Sequence, residues 1–148
     1  MKPRPPPPAS SPPPGPVRVM LVEDHLMMRS GLRLLVGGQP GFTIAGEAGD
    51  GPAALAQAAL APPDLMIVDI HLPGEFDGIE LTRRLLRRHP EIRIIILSAD
   101  DQPANIRAAL LAGAAGYLLK ENTCDELLRA IRTVLRGRQY LSPGILGA

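Results

Sequence analysis

The chain has 148 residues, 45% of them hydrophobic, and a formal net charge of +1. That length and apolar content suit one domain with its own core, and so small a net charge gives bulk electrostatics no hold on nucleic acid or a membrane surface. The single cysteine, Cys124, excludes an intramolecular disulfide and a cysteine-rich metal site, and no apolar run reaches the roughly 20 residues that span a bilayer.

In chain order, residues 1–16 read MKPRPPPPASSPPPGP. Proline fixes φ and removes a backbone donor, so this run predicts a disordered, extended tail. It lacks the apolar stretch of a secretory signal, and the cytoplasm is the expected compartment. From Val17 the pattern changes. VRVMLV predicts a strand running into Glu23 and Asp24. HLMMRSGLRLLVGG has helical spacing, with Met28, Leu32 and Leu35 on one face and glycines closing it. FTIAGEA predicts a second strand, and GPAALAQAALA a second helix stopped by Pro62 and Pro63. LMIVD places four apolar residues before Asp69, a strand fit for burial on both faces that ends in a charge.

GIELTRRLLRRH predicts a third helix with Ile79, Leu81 and Leu85 inward and Arg83, Arg84, Arg87 and Arg88 on a solvated face. IRIIILS, PANIRAALLAG and GYLLK predict a fourth strand, a fourth helix and a short fifth strand. CDELLRAIRTVLRG closes the series, with Leu127, Ile131, Val134 and Leu135 at helical spacing. Five strands alternating with five helices imply βα crossovers, hence a doubly wound α/β domain over 17–138 with a parallel sheet.

In such a sheet the carboxyl ends of the strands share one rim, where ligands bind. Glu23 and Asp24, Asp69, Ser98 and Lys120 stand at the ends of strands one, three, four and five. Three carboxylates held together raise one another's pKa unless a cation sits among them. Oxygen ligands without a Cys/His cluster suit a hard ion that keeps its waters, Mg²⁺. A carboxylate, a divalent ion, a hydroxyl and a lysine are the parts for phosphoryl transfer to an acid. Lys120 is one of two lysines beside fourteen arginines, which suggests a positional demand for a compact ammonium. Plainer roles stay open: Asp69 as a turn residue, Glu23 and Asp24 as helix caps, Ser98 as a strand-end hydroxyl, Tyr117 as core packing. His71 reads as an exposed loop residue, Asp100 flanks the same path, and His25 adjoins the acidic pair without a constellation of its own.

The segments VEDH, VDIHLPGEFDG, LSA and GYLLK together resemble the receiver domain of two-component response regulators. GEAGDG and GRQYLSP resemble the turns of its LuxR/NarL-type branch. The resemblance covers about 17–143. It implies a flavodoxin/CheY-like (βα)5 fold with a five-stranded sheet in the order 2-1-3-4-5. It also implies that Asp69 is the phosphoacceptor and Asp24 a direct Mg²⁺ ligand, with Glu23 acting on the metal mainly through water and the His71 backbone carbonyl as a further ligand. Ser98 and Lys120 then bind the phosphoryl group, and Tyr117 is the rotameric aromatic of the switch. One departure is the loop PGEFDG, a residue longer than the family's usual, which leaves its course to be found.

The implied function is a phosphorylation-controlled switch that also hydrolyses its own acyl phosphate, and not a conventional enzyme. Its implied partners are a histidine kinase or small phosphodonor and a second copy in a phosphorylation-linked homodimer, with no membrane. This branch usually continues into a helix-turn-helix domain, so 139–148 is expected to start a linker, with DNA contacted only through an absent C-terminal domain. A stand-alone receiver and a phosphorylation-independent scaffold are the alternatives. An aspartyl phosphatase would ordinarily want a second acid where His71 stands.

Overall fold

A computed structural model describes residues 15–146. The run 1–14, most of the expected tail, lies outside the described residues. Six strands form one sheet: β1 (Val17–Val22), β2 (Phe42–Ala48), β3 (Leu65–Asp69), β4 (Arg93–Ser98), β5 (Gly116–Leu119) and β6 (Tyr140–Leu141). Their order is β2-β1-β3-β4-β5-β6 and every pair is parallel. The connections carry α1 (Leu26–Gly37), α2 (Gly51–Leu60), α3 (Gly78–Arg88), α4 (Pro103–Ala112) and α5 (Thr123–Leu135), with a short 3-10 turn (Lys120–Asn122) before α5 and α6 (Pro143–Leu146) after β6.

Alternation along the strands divides the core in two. Met20, Val22, Met66, Val68, Ile94 and Ile96 face the layer of α2, α3 and α4, where Ala54, Ala58, Leu81, Leu85 and Ala109 meet them. Val19, Leu21, Leu65, Ile67, Ile95 and Leu97 face α1 and α5, packing on Leu32, Val36, Leu127, Ile131 and Val134. Each such side chain contributes about 1.5–3 kcal/mol when fully buried. Both layers are needed, because every residue of β3 is buried. In α1 the deepest contacts come from Leu32 and Val36; Met28 and Leu35 are only partly buried. One turn separates Leu32 from Val36, so the inward stripe is displaced from the predicted one.

The β3–α3 loop PGEFDG follows a course fixed at both ends. Gly78 donates to the Ile70 carbonyl at 2.9 Å, and a Cβ at Gly78 would strike the Asp69 carbonyl oxygen. Helix α3 therefore starts hard against the strand end, capped by Asp77 accepting from the Glu80 amide at 2.9 Å. Pro73–Glu75 are exposed, and Gly74 turns the chain there at φ +97°. Phe76 re-anchors the loop by packing its ring on Gly51 at the start of α2.

The predicted five strands are all present, and their order is the implied one; the sheet then gains a sixth. Within the segment 139–148 expected to start a linker, Tyr140 and Leu141 pair with Gly116 and Tyr117. Strand β5 would otherwise expose an edge of unpaired backbone groups. The Ser142 amide donates to the Tyr117 carbonyl at 3.1 Å, and Ser142 Oγ accepts from the Leu119 amide at 3.0 Å. Tyr140 fastens the segment to α5 by donating its hydroxyl to Glu126 at 2.7 Å. Two residues are too few for strand alternation to register in a sequence. Ser142→Ala strands the buried Leu119 amide, so urea unfolding should show a loss of about 1–3 kcal/mol; an unchanged midpoint would mean that the segment is not docked in solution.

Candidate functional site

Strands β1 and β3 are neighbours, yet their following helices leave to opposite faces: α1 packs with α5, and α3 with α2 and α4. A crevice opens where such crossovers diverge, beyond the carboxyl ends of the two strands. Val22 pairs with Val68, so Glu23 and Asp69 emerge side by side at that point. Asp69 pairs in turn with Leu97, and Ser98 with Leu119, which sets Ser98 and then Lys120 along the same rim.

Lys120 Nζ donates to Glu23 Oε1 and to Asp69 Oδ2, each at 3.0 Å. The two carboxylate side chains are only 1% and 2% exposed, whereas that of Lys120 is 22% exposed. Lys120, the predicted last residue of the fifth strand, is instead the first residue of the 3-10 turn, one past the end of β5. The second oxygen of Asp69, Oδ1, accepts from the His71 amide at 3.1 Å. Glu23, Asp24, His25 and Asp69 each present a ligand atom, all within 4.8 Å of one another.

Burial, followed by the adjacent Asp69 carboxylate, pushes the Glu23 carboxyl above its ordinary range; Lys120 opposes both. For Lys120 burial pulls the pKa down, but its two carboxylate partners prevail and hold it above the usual lysine value. One ammonium faces three carboxylates, so the rim carries excess negative charge. All-oxygen acidic donors and this unbalanced charge fit a hard divalent cation.

Ser98 is fully buried and its Oγ accepts from the Asp100 amide at 3.2 Å. Tyr117 is buried too, and burial raises its phenol pKa; its hydroxyl donates to the Asp100 carbonyl at 3.2 Å. Tyr117 belongs to the core beneath α4 and touches the loop after β4 rather than the acids. His71 is exposed, and its Nε2 lies 3.7 Å from Asp100 Oδ2. Asp100 is thereby a hub: its Oδ1 also accepts from the Gln102 amide at 3.1 Å and from Asn105 at 3.3 Å. Those bonds, the Gln102 amide first, lower its pKa. The DQP segment ahead of a proline-started helix is the local signal for such a turn. An apolar cleft of about 540 Å³ between α4 and Ile145 lies apart from this chemistry.

Because the folded state keeps the Glu23 proton to a higher pH than the unfolded chain, metal-free stability should fall as pH rises from 4.5 through the raised value. Carboxyl NMR should show Glu23 titrating lower in Asp69→Ala, while remaining above its ordinary value because burial persists. An unmoved titration would mean that the two acids do not interact.

The family model for the response regulator receiver domain matches residues 19–132. The chain is 36% identical over 129 residues to the response regulator GacA of Pseudomonas viridiflava, covering 87% of this chain and 60% of that protein. It is 42% identical over 125 residues to the DNA-binding transcriptional activator DevR/DosR of Mycobacterium tuberculosis, covering 84% and 57%. It is 32% identical over 130 residues to the nitrate/nitrite response regulator NarL of Escherichia coli, covering 88% and 60%. Among solved structures, a LuxR-family two-component response regulator from Aurantimonas superposes with a TM-score of 0.85 at 36% identity, covering 90% of this chain and 94% of that one. The chain thus spans about 60% of the length of the curated relatives it matches.

Proposed function

The chain belongs to the response regulator receiver domain family, in its LuxR/NarL branch, and on that premise we propose that Asp69 is the phosphoacceptor of a Mg²⁺-dependent switch. The observation that carries the proposal is the Lys120 bridge, which holds two buried carboxylates at the β1/β3 crevice with an ammonium already in place. Asp69 attacks phosphorus through a carboxylate oxygen, forming an O–P bond as the donor's bond to phosphorus breaks and the donor's leaving group takes the electron pair. With a histidine kinase as donor, the leaving group is an imidazole nitrogen. A small acyl phosphate serves in the same way.

Asp24, Asp69, the His71 carbonyl and, through water, Glu23 would hold Mg²⁺, which supplies positive charge against the carboxylates and the transferring phosphoryl oxygens. Lys120 keeps Asp69 oriented before transfer and pairs with the phosphoryl group afterwards. The new group adds roughly −1.5 to −2 of charge. Ser98 then exchanges its bond from the Asp100 amide for one to a phosphoryl oxygen. Asp100 also holds the Tyr117 hydroxyl, so a shift at Ser98 reaches β5 and the α4 and α5 surfaces. Hydrolysis by water resets the switch, which places the domain among switches and not turnover enzymes.

The output proposed is transcription control, through a DNA-binding domain following residue 148 in a phosphorylation-promoted homodimer. The motive is the named activity of relatives such as the DevR/DosR activator, which this chain matches over about 57% of their length. Among the described residues no helix is long and apolar enough to cross a membrane, and the cytoplasm is the proposed compartment.

Incubation with acetyl phosphate and Mg²⁺, followed by intact mass measurement, tests the acceptor. The expected gain is about 80 Da, one phosphoryl unit, absent in Asp69→Asn. No gain in the wild type, with Mg²⁺ shown to bind, would favour a scaffold. Turnover of a phosphomonoester would favour a phosphatase.

A further inference from the structure

Helix α4 has the fewest buried residues of the five long helices. Ala109 is its one fully buried residue, against six in α5, and no side-chain bond caps its first turn. Few buried contacts mark an element that moves at low cost. Its first turn hangs instead from Asp100, whose Oδ1 accepts from the Gln102 amide and from Asn105. The Asp100 amide donates in turn to Ser98 Oγ at 3.2 Å, so a bond exchanged at Ser98 pulls on α4.

The segment after α5 touches both α4 and β5. On β5 its hold is made of hydrogen bonds: the Tyr140 amide donates to the Ala115 carbonyl at 3.0 Å, the Ser142 amide to Tyr117, and Ser142 Oγ accepts from Leu119. Three residues on, Ile145 leans the other way. It is half-buried against the core layer that holds Ala109 and Tyr117, and it closes one side of the apolar cleft walled by Ile106, Leu110 and Leu111 of α4. Its amide donates to the Ser142 carbonyl at 2.9 Å, which fixes the turn that carries it there. One short segment therefore grips β5 by hydrogen bonds and α4 by a single apolar side chain. When α4 shifts against β5, both grips cannot persist. The apolar contact yields first, because losing the other would strand the buried Leu119 amide.

We propose that residues 140–146 form a latch: in the unphosphorylated protein Ile145 docks on α4 and holds it at rest, and phosphorylation shifts α4 and frees Ile145 while β6 stays paired. The inference rests on Asp69 being the phosphoacceptor. A contact made only in the resting state opposes the phosphorylated one, so weakening it must favour the phosphorylated form.

Methyl NMR of the full chain labelled at isoleucine Cδ1 tests the latch, with Ile145→Val identifying the Ile145 signal by its loss. Beryllofluoride with Mg²⁺ serves as the mimic of a phosphoryl group on a carboxylate. At saturation, a neutral paramagnetic chelate in the solvent should broaden the Ile145 methyl at least twofold more than in the resting protein. The Leu119 and Ser142 amides should keep their protection from hydrogen exchange. Ile145→Ala should reach half-saturation at a beryllofluoride concentration lower by threefold or more, with Ile145→Val near the wild type. Equal accessibility of the Ile145 methyl in the two states would overturn the proposal. So would lost protection at those two amides, or an unchanged or higher half-saturation in Ile145→Ala. Failure of the acetyl phosphate mass gain in the wild type would instead overturn the acceptor role, so the two failures are separable.

Discussion

One ammonium group reaches across the sheet from the end of β5 to two carboxylates at the ends of β1 and β3. Lys120 is 97 residues from Glu23 and 51 from Asp69, yet meets both at 3.0 Å. Buried carboxylates without a partner are costly, and stripping one partner from a buried pair commonly costs more than the pair gains. The bridge is therefore a condition for keeping Glu23 and Asp69 charged in a dry setting. It is also incomplete: burial and then the Asp69 carboxylate still hold the Glu23 pKa above its ordinary range despite Lys120. A bound cation relieves the same strain.

The remaining parts serve to hold this rim in register. Burial on both faces leaves β3 no freedom to slip, since a one-residue shift would turn its apolar side chains onto the wrong layer. Gly78 lets α3 begin directly against the Asp69 carbonyl, so Asp69 is clamped between strand and helix. On the other side, β5 presents Tyr117 to one core layer and Lys120 to the rim within four residues. Strand β6 and Ser142 are hydrogen-bonded along that same strand. Lys120 is thus joined through β5 and its hydrogen bonds to residues 140–142.

Much of the site was legible because its residues are anomalies in their own strands. An aspartate ending LMIVD, an acidic pair following VRVMLV and one of only two lysines beside fourteen arginines each break a local expectation. Other members offered no such contrast. His71 looks like an ordinary polar loop residue, and its 3.7 Å approach to Asp100 follows from how separate loops turn. Asp100 gathers His71, Asn105 and Tyr117 through contacts five to twenty-nine residues away in sequence, beyond any spacing rule. The docking of Phe76 on Gly51 likewise depends on two loops meeting.

Hydrophobic periodicity and strand-end chemistry were enough to establish a doubly wound parallel domain and to bring Glu23, Asp24, Asp69, Ser98 and Lys120 to one margin. Both are local properties: side chains alternate every two or 3.6 residues, and parallel strands end on the same side. Tertiary packing alone decided that Lys120 bridges Glu23 and Asp69, that Tyr117 ties the loop after β4 to β5, and that residues 140–141 extend the sheet. These depend on directions and distances between distant segments, and those exist only once the core has closed.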